Sequence, residues 1–268
     1  MVAPANSFAA VIADCLSRRR PIVVCTVVRT AEPARYPAGV KVVCPVGEVP
    51  RSFGLAEAEA QSLIEKLPLT DPAAAPRVYE VCVGPEGDSL LDVYCELIQP
   101  PVQLVVAGAG HIARPMAAMG LALGWSVVVT DDRADYADRS NFPAGTDVIC
   151  AEFESVWSRL TIDTATAVAL VTRGHEHDEA CLKALAGTRP FYVGMIGSKR
   201  RVRTVMERLH SDGVSAEFLD RVYAPVGLPI GTETPAEIAL AVTAEVVAVW
   251  RGRGEWANAE KQTYYYGR

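Results

Sequence analysis

Apolar residues recur at Phe8, Val11, Ile12 and Leu16, spacings that lay one stripe along a helix over residues 7–19. The period then changes. Residues 22–28 are apolar but for Thr26 and read as a strand, and residues 40–44 read as a second strand closed by the Pro45-Val46-Gly47-Glu48 turn. Helical spacing returns over residues 57–67, and the Pro- and Ala-rich segment 68–76 reads as a loop. Residues 78–83 and 90–97 flank Gly84-Pro85-Glu86-Gly87-Asp88 as the arms of a hairpin. Pro100-Pro101 marks a boundary, so residues 1–99 are expected to form a small α+β domain.

Beyond Pro101 strand and helix patterns alternate. Strands are predicted over residues 104–107, 126–130, 147–150, 167–171 and 191–196, with helices over 111–123, 178–185, 199–211 and 235–250. Such alternation implies a parallel sheet covered by helices, a Rossmann-like α/β domain over residues 100–252. The last helix has the clearest start, with Thr234 as N-cap, Pro235 at the first helical position and Glu237 at the third. Pro115 falls near the first turn of its helix, where a proline is tolerated. The tail, residues 253–268, is polar apart from its tyrosines and is expected to fray.

The sharpest local pattern lies where the first of these strands breaks into glycines. Gln103 to Ala113 reads strand, Gly-x-Gly-x-x-Ala, helix; the next strand ends in Asp131, 23 positions after Gly108. Gly108 permits a tight turn, Gly110 lets a phosphate group approach the backbone, and Ala113 is small enough for close helix–strand packing. In an open parallel sheet ligands bind beyond the carboxyl ends of the strands. Four strands end in chemically unusual sequence that this geometry brings to one rim: Gly108-Ala109-Gly110-His111, Asp131-Asp132-Arg133, Thr172-Arg173-Gly174-His175-Glu176-His177-Asp178 and Gly197-Ser198-Lys199-Arg200.

Each piece has two readings. Asp131 either accepts hydrogen bonds from a ribose or other hydroxyl-rich group, or closes a turn with Arg133 as partner. Gly197 to Arg200 opens a helix with N–H groups, a hydroxyl and two cations suited to a phosphate, or is a solvated basic turn; it lacks the spacing of a P-loop. His175, His177 and Asp178 fall within four residues of a chain holding four histidines. They serve ligand contact, acid–base work or metal binding, or form a polar loop in which Asp178 caps the next helix. The histidine spacing of two does not place both rings on one helix face, and whether a metal binds is left unassigned.

Half of the residues are hydrophobic and the formal charge is −6, which marks a globular chain and argues against nucleic acid as partner. No apolar run approaches a membrane span, and no basic-then-apolar leader opens the chain. The seven cysteines are scattered without a Cys-x-x-Cys pair; Cys25, Cys44, Cys82, Cys95 and Cys150 fall in strand-like segments, the pattern of buried free thiols in a reducing cytoplasm.

The ordered motifs of the second half, together with Gly194-Met195-Ile196-Gly197-Ser198-Lys199-Arg200 and the run from Ala224 to Ala239, resemble the XdhC/CoxI family of accessory proteins for molybdenum hydroxylases. The likeness covers residues 102–251. It implies a cytoplasmic chaperone that binds molybdenum cofactor (molybdopterin), protects it while its terminal sulfur is installed, and helps load it into xanthine dehydrogenase or a related enzyme. It also implies a molybdenum hydroxylase apoenzyme and a cysteine desulfurase as partners, admits a homodimer, and assigns no catalytic residue. The cofactor-binding set is then Gly108, Gly110, His111, Asp131, Asp132, Arg173, His175, His177, Asp178, Gly197, Ser198, Lys199 and Arg200. The chain is too short to hold the flavin, iron–sulfur and molybdenum centres of xanthine dehydrogenase, and its cysteines lack cluster spacing. In the first domain Val28-Arg29-Thr30 and Pro37-Ala38-Gly39 match the family, but Pro50 to Glu57 stands where a Gly-Gly-Cys motif is expected. Two alternatives stay open. An NAD(P)-dependent oxidoreductase is favoured by the glycine turn and Asp131 and opposed by the lack of a Tyr-x-x-x-Lys relay; a nucleotide-sensing regulatory module would bind without turnover.

Overall fold

A computed structural model describes residues 7–67, 76–84 and 89–266, the side chains of His175, Glu260 and residues 262–266 excepted. The expected loop over 68–76 and the tip of the hairpin at 85–88 fall almost wholly outside the described residues. The chain divides into two compact units, Met1–Pro100 and Pro101–Arg268.

The first unit runs α1 (Phe8–Ser17), β1 (Ile22–Thr30), β2 (Lys41–Pro45), β3 (Arg51–Phe53), α2 (Glu57–Glu65), β4 (Arg77–Val83) and β5 (Ser89–Ile98). Its sheet is antiparallel in the order β3-β2-β1-β5-β4. The two faces of β1 explain its run of apolar residues from Ile22 to Cys25 and at Val27. Ile22 and Val24 face Val11 and Cys15 of α1, while Val23, Cys25 and Val27 face Ala60 and Leu63 of α2, so both sheet faces are covered. β3 is absent from the sequence reading because its three residues, Arg51 to Phe53, carry no apolar alternation. Cys25 and Cys95 are directly opposed on neighbouring strands with Sγ atoms 3.4 Å apart, and this shared contact and burial push the Cys25 thiol far above its ordinary value. Cys82 and Cys150 depart from the expected buried set: both are exposed, on the edge strand β4 and at the end of an edge strand of the second unit.

The second unit runs β6 (Gln103–Ala107), α3 (Ala113–Ala122), β7 (Ser126–Asp131), β8 (Thr146–Cys150), β9 (Thr166–Leu170), α4 (His175–Leu185), β10 (Tyr192–Met195), α5 (Lys199–Ser211), α6 (Ala216–Asp220), β11 (Val222–Tyr223), α7 (Pro235–Trp250) and α8 (Gly254–Tyr266). Its strands are parallel in the order β11-β10-β9-β6-β7-β8, the doubly wound α/β arrangement. One face packs Leu104, Val106, Val127 and Val129 against Met116 of α3 and Val242 and Val246 of α7; the other packs Val105, Val168 and Val193 against Leu182 of α4 and Leu209 of α5. Burial on both faces is why β6, β7 and β9 read as solid apolar runs.

Thr234 accepts from the Glu237 N–H and the Glu237 carboxylate returns to the Thr234 N–H, completing the capping box of α7. The segment beyond Gly252 departs from the expected frayed tail. α8 packs on α7, with Ala257 fully buried and Lys261 forming an ion pair with Glu245. Glu245 is itself buried and accepts from the Tyr192 hydroxyl at 2.7 Å and the Gly227 N–H at 2.9 Å. Tyr192 stacks on Tyr223 at 4.9 Å. This buried polar knot anchors α8, and a single lysine in a polar sequence gives little sign of it.

Candidate functional site

The parallel register aligns Ala107, Thr130, Leu170 and Met195 in one row across the sheet. The four loops that follow therefore leave from the same edge. β6 and β9 are neighbours while their connections run to opposite sides, which makes the gap between their ends the switch point where this architecture binds ligands.

Gly108 lies at that gap with φ +108°; a Cβ there would sit 2.6 Å from the Val171 carbonyl oxygen. Its glycine is required by the close approach of the two loops. Gly110 is different. Among the described residues a Cβ on it would meet no heavy atom within 4 Å, and its backbone is outside the left-handed region, so none of them accounts for the missing side chain. The space above it is where a ligand would lie against the backbone. His111 beside it is exposed, and α3 begins at Ala113, two residues later than its pattern predicts, with Gly110 to Ile112 as the turn that leads into it.

Helix ends sharpen the picture. α5 and α7 are capped by the side chains of Ser198 and Thr234, and α6 by Ser215. α3 and α4, which start on the two sides of the switch point, have no side-chain cap. No side chain takes up their first-turn N–H groups, although the Ala113 N–H donates to the Gly110 carbonyl at 3.0 Å, and the positive ends of both helices favour an anion.

Asp131 sits beneath the rim rather than on it. It is 1% exposed; one carboxylate oxygen accepts from the Ala109 N–H at 2.8 Å, and the other from the Arg133 N–H at 3.0 Å and its Nε at 2.8 Å. The second guanidinium nitrogen of Arg133 reaches back to the first oxygen at 2.9 Å. Of the two readings open in the sequence, the structure shows the turn closed by Arg133, with the acid fixing the glycine loop from below. Asp132 is gripped by both terminal nitrogens of Arg173, at 2.5 and 2.7 Å, which ties the loop after β7 to the loop after β9. The Arg173 guanidinium holds the Asp132 carboxyl well below its ordinary value, against a smaller opposing effect of burial. What this corner presents outward is guanidinium: Arg133 is 33% exposed and lies over the Tyr136 ring, and Arg173 is 42% exposed.

α4 starts at His175, three residues before the sequence pattern suggests. The His175 to Asp178 cluster is thus the first turn of a helix and not a loop. Asp178 is fully buried; it accepts from the Thr172 hydroxyl at 2.5 Å and pairs with Arg201 of α5. Burial raises its pKa, with Thr172 and then Arg201 opposing. Asp178 therefore braces the loop after β9 against α5 and does not reach the rim, and its backbone lies inside the helix at the fourth helical position, too deep to be the cap. His177 is half-buried with its ring 5.0 Å from that of Phe153. The His175 side chain lies outside the described set. Among the described residues no group of three or more His, Cys, Asp or Glu side chains is gathered to hold a metal ion.

Ser198 caps α5 by accepting from the Arg201 N–H at 3.3 Å, and Gly197 packs on the Arg201 stem. Ser198, Lys199 and Arg200 are at the surface of this turn, with the two cations exposed. Two residues absent from the sequence-derived set, Arg133 and Arg201, are the counter-ions of the two buried acids. A basic run such as Lys199-Arg200-Arg201 does not tell which of its members turns inward. The Asp131-Asp132-Arg133 spacing did signal the first pair.

These features define a doubly wound α/β domain with a glycine turn and two uncapped helix starts at its switch point. The chain belongs to the XdhC family: the family described as XdhC Rossmann domain matches residues 104–246, more than half of its length. It is 31% identical over 163 residues to a Bacillus subtilis protein named as a probable subunit of xanthine dehydrogenase, covering 61% of this chain and 47% of that protein. It is 29% identical over 151 residues to the molybdenum cofactor insertion chaperone PaoD of Escherichia coli, covering 56% of this chain and 41% of that one. The chain thus spans less than half the length of both relatives. Its fold matches a crystal structure described as a xanthine dehydrogenase from Bacillus halodurans, with a TM-score of 0.68 at 20% identity over 96% of this chain and 70% of that one.

Proposed function

We propose that this chain is an accessory protein that carries molybdenum cofactor as cargo and delivers it to the apoenzyme of xanthine dehydrogenase or a related molybdenum hydroxylase. The observation that carries the reading is the open space over Gly110 beside the uncapped starts of α3 and α4. That cradle fits a phosphate-bearing ligand, and the relative named as a cofactor insertion chaperone supports molybdopterin as that ligand. In this reading the Gly108–Gly110 turn and the Ser198, Lys199 and Arg200 turn hold the anionic parts of the cargo. His111, His175 and His177 serve its pterin and dithiolene end. Asp131, Asp132 and Asp178 act from beneath, fixing the loops, and Arg173 completes the rim. The cargo brings the redox chemistry; the chain binds, orients and shields it. A cysteine desulfurase as sulfur donor and a homodimer belong to the same proposal.

The oxidoreductase alternative leaned on Asp131, whose carboxylate oxygens are engaged by Ala109 and Arg133. Fluorescence titration with molybdopterin under anaerobic conditions tests the carrier reading. Wild-type protein is expected to bind, and Gly110→Ala and the Lys199→Ala/Arg200→Ala pair are each expected to weaken binding at least about tenfold, the scale of one lost charge-assisted contact. Unchanged affinity in both variants contradicts the assignment of the site.

A further inference from the structure

In dinucleotide-binding domains of this architecture the acid at the end of the second strand takes the ribose hydroxyls, and an arginine beside it accommodates a phosphate instead. Here the position is held by Asp131 and Asp132, and both carboxylates are engaged by arginines. Asp131 is buried with both oxygens occupied by Ala109 and Arg133, and Asp132 is clamped by Arg173. The two guanidinium groups converge there from different loops: Arg173 stands 3.7 Å from Asp131 while gripping Asp132. Each guanidinium has five N–H donors, and the pairs formed with the acids use only part of them. The remaining donors lie on partly exposed groups, 33% and 42% open. The acids supply rigidity. Arg133 is further fixed by the Tyr136 ring, whose centroid is 3.5 Å from its guanidinium carbon.

We propose that Arg133 and Arg173 form a phosphate subsite at the end of β7 that selects ligands bearing a phosphomonoester there and rejects those offering a free ribose diol. The inference deepens the carrier reading, since it gives the cargo's phosphate guanidinium donors beside the Gly108–Gly110 turn, which Asp131 ties to this corner, and disfavours NAD(H) as ligand. It rests on that reading for the identity of the cargo but not for the selectivity itself. A diol arriving at this corner finds both acids already paired with guanidinium groups and only 1% and 13% exposed, so its hydroxyl protons must compete with those pairs. A phosphate finds planar donors of matching geometry.

Two small probes separate the cases. Isothermal titration of the full chain with 2′,5′-ADP and with 5′-AMP compares the same nucleoside with and without a phosphate at the ribose 2′ position. The 2′-phosphorylated probe is expected to bind at least about tenfold more tightly, the scale of one charge-assisted contact. Arg173→Ala is expected to remove most of that preference, by weakening 2′,5′-ADP and by freeing the Asp132 carboxylate to accept from the diol of 5′-AMP. Arg133→Ala removes the partner of a buried acid and can unfold the domain, so the exposed Arg173 is the deciding variant. Equal affinity for the two probes, tighter binding of 5′-AMP, binding of neither at millimolar concentration, or a preference that survives Arg173→Ala each overturns the subsite. A molybdopterin titration run beside it reports on the carrier reading alone. Loss of molybdopterin binding with the 2′-phosphate preference intact sinks the cargo, and the converse sinks the subsite.

Discussion

Two glycines two positions apart carry different burdens. Gly108 is held by the protein, because any Cβ collides with the Val171 carbonyl and the residue is left-handed. Gly108→Ala is expected to destabilise the second unit by about 2–4 kcal/mol, measured by denaturant unfolding. Gly110→Ala meets open space and is expected to shift stability by less than about 0.5 kcal/mol while weakening cargo binding. A large stability loss at Gly110 would place protein, not ligand, above that turn. Asp178 and Arg201 form the second residue-scale test. Arg201 is 28% exposed and its partner fully buried, so Arg201→Ala strands a buried acid and is expected to cost about 3 kcal/mol, recovered in part by adding Asp178→Asn. The outer pair responds to pH instead. Arg173 lowers the Asp132 pKa, so the pair contributes stability that is complete above the ordinary value of 3.8 and is lost as pH falls through the depressed one. Arg173→Ala should raise the pH midpoint of acid unfolding yet change neutral-pH stability by less than about 1 kcal/mol, because Arg173 is 42% exposed.

At the scale of elements, legibility follows burial. β1, β6, β7 and β9 are covered on both faces, and their apolar runs announce them; α7 carries a complete start signal in Thr234, Pro235 and Glu237. β3, α6 and the two residues of β11 are too short for a period to show. The start of α4 is hidden for a different reason. Its first turn is polar and charged, His175 to Asp178, and Glu176 and Asp178 sit where acids stabilise a helix start, so a true helix reads as a loop. α8 is hidden because its anchor is one buried ion pair and not an apolar stripe. Thr234→Ala removes half of a capping box and is expected to lower stability by about 1 kcal/mol, read as a shift in denaturation midpoint with unchanged slope. No shift would mean that the α7 start is set by packing alone.

At the scale of the molecule, the four rim loops were legible as a group because a parallel sheet sends successive strands toward one edge, and chemically unusual sequence recurred at those ends. Which side chains face outward was not legible, since the burial of Asp131 and Asp178 and the inward turn of Arg201 are decided by neighbours distant in sequence. Each unit has its own hydrophobic core, which predicts that residues 101–268 fold alone, unfold cooperatively and keep the ligand site. Native mass spectrometry of the protein purified from cells that make molybdenum cofactor, with the released small molecule identified, decides whether the rim carries this cargo. A molybdopterin species is expected, with or without molybdenum, at reduced occupancy in Gly110→Ala. Co-purification of NAD(H) in its place would contradict both the cargo and the phosphate selectivity of the site.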